Sequence, residues 1–275
     1  MEKGEDHYDM RQWFKAELTL SESTRHVLEH YSKIPSEEVL PHVYAIREKA
    51  WSIHPYPCIG QGRFLDLSIG QHMLYQSEIL PRMKTGEQTY LDLGCAFAQD
   101  LRRLVADGVD SSKCYGADLR LDFIDIGYEL FRDKDTLKST FIAADIFDPD
   151  SPLKELEGKI DIIDASSFFH LFDLADQKQI ARSVIKLMTP REDSLVVGRQ
   201  VGNLQAAEYP KRNGQGSRYR HSIESWREMW SEVGGEVGVQ FDVQGSTRPA
   251  QGVRETTDRP EDSSAVMMEF SVRRL

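Results

Sequence analysis

The stretch Thr89-Tyr90-Leu91-Asp92-Leu93-Gly94-Cys95-Ala96-Phe97-Ala98-Gln99-Asp100 passes from an apolar run through an acid and a glycine into small residues, then into a helical pattern. Glycine permits the positive φ of a tight strand-to-helix turn, and small side chains let main-chain N–H groups approach a ligand. A second acid, Asp118, closes the next strand pattern, Lys113–Ala117, roughly 25 positions after Asp92, where a carboxylate can accept hydrogen bonds from ribose hydroxyls. A third, Asp145, closes Ser139–Ala144, and a fourth strand pattern, Lys159–Asp164, opens into Ala165-Ser166-Ser167. The carboxyl ends of the strands of an open parallel sheet line one crevice. Asp92, Asp118, Asp145 and Ser166 are therefore expected to face a single nucleoside-bearing ligand, although each could also be a solvated strand-end residue.

These residues, with Ala144-Asp145-Ile146 and the Asp161–His170 segment, resemble the class I S-adenosylmethionine-dependent methyltransferases. Further stretches are similar to small fungal methyltransferases of secondary-metabolite clusters, particularly those acting on meroterpenoid intermediates. They are Tyr56-Pro57-Cys58-Ile59-Gly60, Phe64-Leu65-Asp66-Leu67, Gly127–Asp133 and Val197–Gly202. The resemblance implies a Rossmann-like fold with a mostly parallel seven-stranded sheet, helices on both faces and a helical N-terminal cap. It implies S-adenosyl-L-methionine as cofactor, held by Asp92, Gly94, Cys95, Ala96, Gln99, Asp118, Leu119, Asp145, Ile146 and Ser166. One departure stands out: the family often carries glycine where this chain has Ala96 and Ala98, and alanine resists positive φ. Retained cofactor binding is the expectation.

Methyl transfer asks the protein to align an acceptor and exclude water. A carboxylate acceptor is already ionised at neutral pH, whereas a phenol, alcohol or N-hydroxyl usually needs a base. His170, after the fourth strand, is the candidate base, and Arg199, after the fifth, the candidate carboxylate clamp; His170 packed among aromatics is the competing reading. His54, Tyr56, Arg63, Phe169 and Gln200 are candidate substrate contacts, with Trp51, Phe64, Phe168 and Phe172 as walls of an apolar acceptor pocket or, equally, as core. The leading expectation is a methyl ester made on the carboxylate of a meroterpenoid intermediate. The alternatives are methylation of a hydroxyl or N-hydroxyl on an alkaloid or polyketide, and a cyclase or isomerase that keeps the fold without transferring methyl.

The elements that must position these groups are coarse but coherent. Residues 1–85 read as a helical cap or lid broken by Pro35, Pro41, Pro55, Pro57 and Pro81, and residues 86–275 as an alternating α/β cofactor-binding core. Asp173–Met188 and Ser222–Val233 carry helical apolar faces, and Ser194–Gly198 reads as a fifth strand. Val237–Val243 and Val266–Val272 alternate as a terminal antiparallel pair, with 245–264 as a polar loop between them.

The 275 residues carry a net charge of −11 and a pI near 5.3, with no basic stripe, which argues against a nucleic-acid partner. Cys58, Cys95 and Cys114 lack metal-ligand spacing, so no metal and no disulfide framework is expected. No apolar run is long enough to span a membrane. A cytoplasmic enzyme acting on a small hydrophobic acceptor is the expectation, with a homodimer left open.

Overall fold

The computed structural model describes residues 13–211, 216–249 and 264–275. The cap contains helices α1 (Glu22–His26), α2 (Ser36–Ile53), α3 (Pro57–Gly60) and α4 (Leu80–Lys84). The core then alternates β1 (Tyr90–Leu93), α5 (Gln99–Ala106), β2 (Cys114–Asp118), α6 (Leu121–Phe131), β3 (Thr140–Ala143), β4 (Ile162–Asp164), α7 (Leu174–Leu187) and β5 (Leu195–Asn203). A hairpin, β6 (Ala207–Pro210) and β7 (Ser217–Arg220), precedes α8 (Ile223–Glu236), and β8 (Phe241–Pro249) and β9 (Ala265–Arg274) close the chain.

The seven-stranded sheet has the order β3-β2-β1-β4-β5-β9-β8. β1 to β5 run parallel and β9 is antiparallel to both of its neighbours. The strand order reverses between β1 and β4, the switch point at which open sheets leave a crevice. Asp92 of β1 lies level with Gly116 of β2 and Asp164 of β4, so three strand tips meet there. Alternation sends Leu91, Ile163 and Val196 to one face, under Trp226, Trp230 and Val184, and Tyr90, Ile162 and Leu195 to the other, under Leu101, Leu104 and Ile124. A third apolar cluster joins Val39, Val43 and Ile46 of the cap to Phe97, Phe123 and Leu130 of the core.

Helix boundaries follow their capping chemistry. Asp173 accepts from the Asp176 N–H at 2.9 Å and starts α7, and Ser222 and Ser225 form a reciprocal capping box at α8. α2 stops at His54, which is extended (φ −155°) because Pro55 follows it. Pro41 does not break the cap as the sequence suggested; it lies inside α2. The expected loop over 245–264 is strand at its start, since β8 continues to Pro249 and pairs with β9 there; residues 250–263 lie outside the described residues. The β6–β7 hairpin was not legible in the sequence, because four-residue strands give too few alternations to register.

Arg102 and Asp133, both buried, form a two-pronged ion pair at 2.7 and 2.9 Å, and Tyr31 of the cap donates to the same carboxylate at 2.7 Å. Arg102 also donates to the Phe97 carbonyl at 2.8 Å, so one guanidinium ties α5, the end of α6 and the loop after β1 together.

Candidate active site

The loop after β1 sits against the β2 tip: Gly94 and Cys95 donate to the Ala117 carbonyl at 2.8 and 3.0 Å. Gly94 has φ +75°, and a Cβ there would come within 2.5 Å of the Phe168 ring. Ala96 and Ala98 adopt positive φ despite their methyl groups (47° and 49°), at a cost of about 1–2 kcal/mol each. The turn is held open by the Asp118 carboxylate, which accepts from the Ala96 N–H at 2.8 Å and the Arg120 N–H at 2.9 Å. Asp118 thus braces the loop with its carboxylate edge while its remaining lone pairs stay available to hydroxyls. Burial raises its pKa, and those two backbone donors oppose the rise.

Behind the loop lie Asp92, Asp100 and Asp164, all buried. Asp100 accepts from the Ile69 N–H at 2.8 Å, and Asp164 accepts from the Tyr90 hydroxyl at 3.1 Å and the Ser166 N–H at 2.9 Å. One oxygen of Asp92 has no hydrogen-bond partner. Burial and mutual repulsion raise the pKa of Asp92 well above the carboxylate range, and burial with Asp164 pushes Asp100 up to about 7. Burial raises Asp164 as well. Among the described residues none of these acids has an ion-pair partner. A ligand bearing a cationic amino-acid end and ribose hydroxyls supplies what the cluster lacks, so the donor set fits S-adenosylmethionine. The expected consequence is measurable. A carboxyl with a raised folded pKa gives its stability below the unfolded value near 4 and loses it as pH rises through the folded pKa. Asp92→Asn should therefore raise the melting temperature of the ligand-free protein at pH 8, with the gain shrinking toward pH 4, and should weaken cofactor binding. Equal melting at pH 8 in both proteins would contradict the uncompensated carboxyl.

The remaining residues expected to hold the cofactor are distributed around this centre. Cys95 is buried, with its sulfur 3.2 Å from where a Cβ on Gly116 would lie. Gln99, half-buried at the start of α5, has an unpartnered Oε1. Leu119, directly after Asp118, is 70% exposed. Asp145 is exposed and accepts from the Phe147 N–H at 2.9 Å, and Ile146 packs against the core. Ser166 and Ser167 follow β4, and the Ser167 N–H donates to the Arg199 carbonyl at 2.6 Å, locking the β4 exit to β5.

That lock puts Arg199 beside the crevice. With Arg63, Asp66, Glu17, Arg248 and Lys15 it lines a cleft of about 450 Å³ between the cap and strands β5, β8 and β9. Arg199 lies within β5, which runs on to Asn203, and not after the fifth strand as expected. Arg199 donates to Asp66 at 2.6 Å across 133 positions, and its Nε is buried without a partner. Half-buried Arg63 makes no hydrogen bond or ion pair among the described residues. Burial lowers its pKa; Asp66 opposes this and Arg199 adds to it. Arg199 takes up Asp66, and Arg63 stands beside that pair in a cleft where Lys15, Arg63, Arg199 and Arg248 outnumber Glu17 and Asp66, an arrangement that receives an anion. His170 stands close by: burial first, then Arg218, Arg220 and Arg63, push its pKa down to about 3, so it is neutral at physiological pH. Its Nδ1 is buried and unpartnered.

The expected aromatic pocket is not what lines this cleft. Phe169 lies fully buried between Trp226 and Trp230, at 5.0 and 6.2 Å between ring centres, and Phe64 packs on Phe97. Phe172 packs on Phe147 and Phe168. Gln200 is buried in β5 with an unpartnered Oε1. His54 and Tyr56 do not line the cleft with Arg63 and Arg199; they stack on each other at 4.0 Å, and Tyr56 lies on Phe123, the third residue of α6. Packing consumes the large aromatics, and polar residues are left at the rim. Sequence reasoning passed over Asp66, Asp164 and Arg120. Asp164, an acid at a strand end like Asp92 and Asp118, carried the same signal.

The family model of the meroterpenoid methyltransferase N-terminal domain matches residues 13–65. The chain is 45% identical over 252 residues to the O-methyltransferase phiE of Fungal sp., covering 90% of this chain and 80% of that protein. It is 45% identical over 211 residues to the asnovolin E/chermesin D methyltransferase nvfJ of Aspergillus novofumigatus, covering 76% of this chain and 75% of that one. Among solved structures, the 1,6-didemethyltoxoflavin-N1-methyltransferase of Burkholderia thailandensis, holding S-adenosylhomocysteine, superposes with a TM-score of 0.50 at 13% identity, covering 85% of this chain and 90% of that one, a likeness of fold.

Proposed function

The chain belongs to the fungal S-adenosylmethionine-dependent methyltransferases of secondary metabolism, and on that premise we propose that it methylates the carboxylate of a meroterpenoid-type acid to give a methyl ester. The observation that carries this reading is Arg63, a half-buried guanidinium without a partner among the described residues, set in a cleft beside Arg199 and the carboxylate it binds, Asp66. A planar two-pronged donor matches a carboxylate, and an excess positive charge in a partly desolvated cleft selects an anion.

Each group has a task in this reading. Asp92, Asp100 and Asp164 hold the cationic end of the cofactor and Asp118 its ribose. S-adenosylmethionine, when bound, supplies a methyl group already activated on a sulfonium. Arg63 receives the acceptor carboxylate and sets one oxygen toward the crevice; Arg199, fixed by Asp66 and the Ser167 contact, keeps the floor of the cleft rigid. Phe168, over Gly94, shields the junction from water. His170, with its pKa pushed down to about 3, is a poor base, and a carboxylate nucleophile needs none. It serves as a neutral hydrogen-bonding wall.

The test is a turnover assay with paired acceptors, a terpenoid-substituted aromatic acid and its hydroxyl-only analogue, with products identified by mass spectrometry. The expected product is the methyl ester. At saturating cofactor, which takes Asp100 out of the comparison, kcat/KM for the acceptor should not climb with a base pKa between pH 6 and 8, because neither the acceptor nor His170 titrates there. Methylation of the hydroxyl compound alone, with a rate that climbs with pH, would replace this reading by base-assisted hydroxyl methylation.

A further inference from the structure

The course of the cap across the core separates two binding tasks that the sequence left together. α2 lies antiparallel on α6: Arg132 meets Glu38 at 3.5 Å, His42 contacts the Leu130 carbonyl at 3.0 Å and Lys49 meets Glu129 at 2.5 Å. The cap therefore leaves α2 at the N-terminal end of α6, next to the β2 tip. Tyr56 packs on Phe123 with ring centres 5.7 Å apart, and the Arg120 guanidinium lies 5.6 Å from the centre of the same ring. Arg120 is tied to Asp118 through its backbone N–H, and its Nε is buried without a partner. Between them Leu119 and Leu121 stand 70% and 54% exposed, an apolar rim beside a carboxylate suited to a ribose.

We infer that the segment His54–Tyr56 is a lid over the nucleoside of the cofactor rather than over the acceptor, with Tyr56 covering the ribose at Asp118 and Leu119 and Leu121 flanking the base. The inference rests on the cofactor of the family and not on the choice of acceptor. His54, stacked on Tyr56 at 4.0 Å, positions the ring, and Pro55 stiffens the link to α2. A purine stacks on an aromatic face or an apolar side chain without regard to charge, so this end of the site reads shape. Neither His54 nor Tyr56 lines the cleft that holds Arg63 and Arg199. The cap thus serves both ligands with different residues.

The experiment is calorimetric titration of S-adenosylhomocysteine and of 5′-methylthioadenosine, which lacks the amino-acid end, into the wild-type protein, Tyr56→Ala, Tyr56→Phe and Leu119→Ser. Tyr56→Ala is expected to weaken both ligands about tenfold, and Tyr56→Phe by less than about twofold. Leu119→Ser, at an exposed position that folding does not depend on, should weaken both several-fold. Acceptor KM at saturating cofactor should stay constant in all variants. Unchanged affinity in Tyr56→Ala and Leu119→Ser, or a loss confined to S-adenosylhomocysteine, would overturn the lid. Wild-type protein that binds neither ligand would instead refute the cofactor assignment beneath it.

Discussion

Replacing Arg63 by glutamine should lower kcat/KM for the carboxylate acceptor by roughly 10²- to 10³-fold while leaving S-adenosylhomocysteine affinity within about twofold. The size follows from a desolvated charge pair: truncating one partner costs about 2–5 kcal/mol, and each 1.4 kcal/mol is tenfold. Arg199 is already neutralised by Asp66, so losing Arg63 removes the guanidinium beside that pair and leaves only the flexible cations Lys15 and Arg248, offset in part by Glu17, to attract the acceptor carboxylate. Lysine should restore only part of the rate, since a point charge lacks the two-pronged match. Arg199→Gln is expected to do less damage to acceptor binding and more to folding, because it abandons Asp66 and vacates a side chain locked among the cap and β5. The comparison is decisive when binding of the acid is set beside that of its neutral amide, titrated as a competitive inhibitor because it has no carboxylate oxygen to take the methyl group. A variant that loses the acid and the amide equally would show that Arg63 shapes the cleft rather than reading charge.

Asp133→Ala should destabilise the protein by about 3–5 kcal/mol, a fall in melting temperature on the order of 10 °C for a domain of this size. Arg102 and Asp133 are buried together, and removing the acid strands a guanidinium among Tyr128, Phe131 and Phe141. Tyr31 loses its acceptor at the same time, so the cap loosens from α6. Asp133→Asn keeps one acceptor oxygen for Tyr31 and the Arg102 Nε but sets its amide NH2 against the Arg102 Nη2 donor, and should fall between. Arg102→Met combined with Asp133→Leu should recover much of the loss, because a well-packed apolar pair avoids the burial of unpaired charge. Thermal melts of the four proteins check this. A melting point of Asp133→Ala within about 2 °C of wild type would mean that Arg102 finds solvent or another partner.

The pattern of acids and small residues fixed much that the structure then displays. Asp92, Gly94 and Asp118 belong to local strand-turn-helix units, whose periodicity and glycine can be read residue by residue, and they meet at the switch point as expected. The helix starts at Asp173 and Ser222 were equally local, since a cap needs only the few residues around it. For the aromatics the sequence left pocket wall and core as equal readings, because composition cannot say which rings the core will use. Phe169 follows the fourth strand as written, but α8 brings Trp226 and Trp230 around it from more than fifty positions away.

What the chain by itself determined is the order of its main strands and helices, the acids at its strand tips and the family it belongs to, because backbone conformation and side-chain periodicity are set within a few residues. Only the tertiary structure decided which charges are neutralised. Asp66 pairs with Arg199 across 133 positions and thereby leaves its near neighbour Arg63 without a partner among the described residues. α2 lying on α6 carries Tyr56 onto Phe123, near the start of α6 and the tip of β2. Charge and desolvation act through space, so the roles of Arg63 and Tyr56 appear once the elements that surround them are packed.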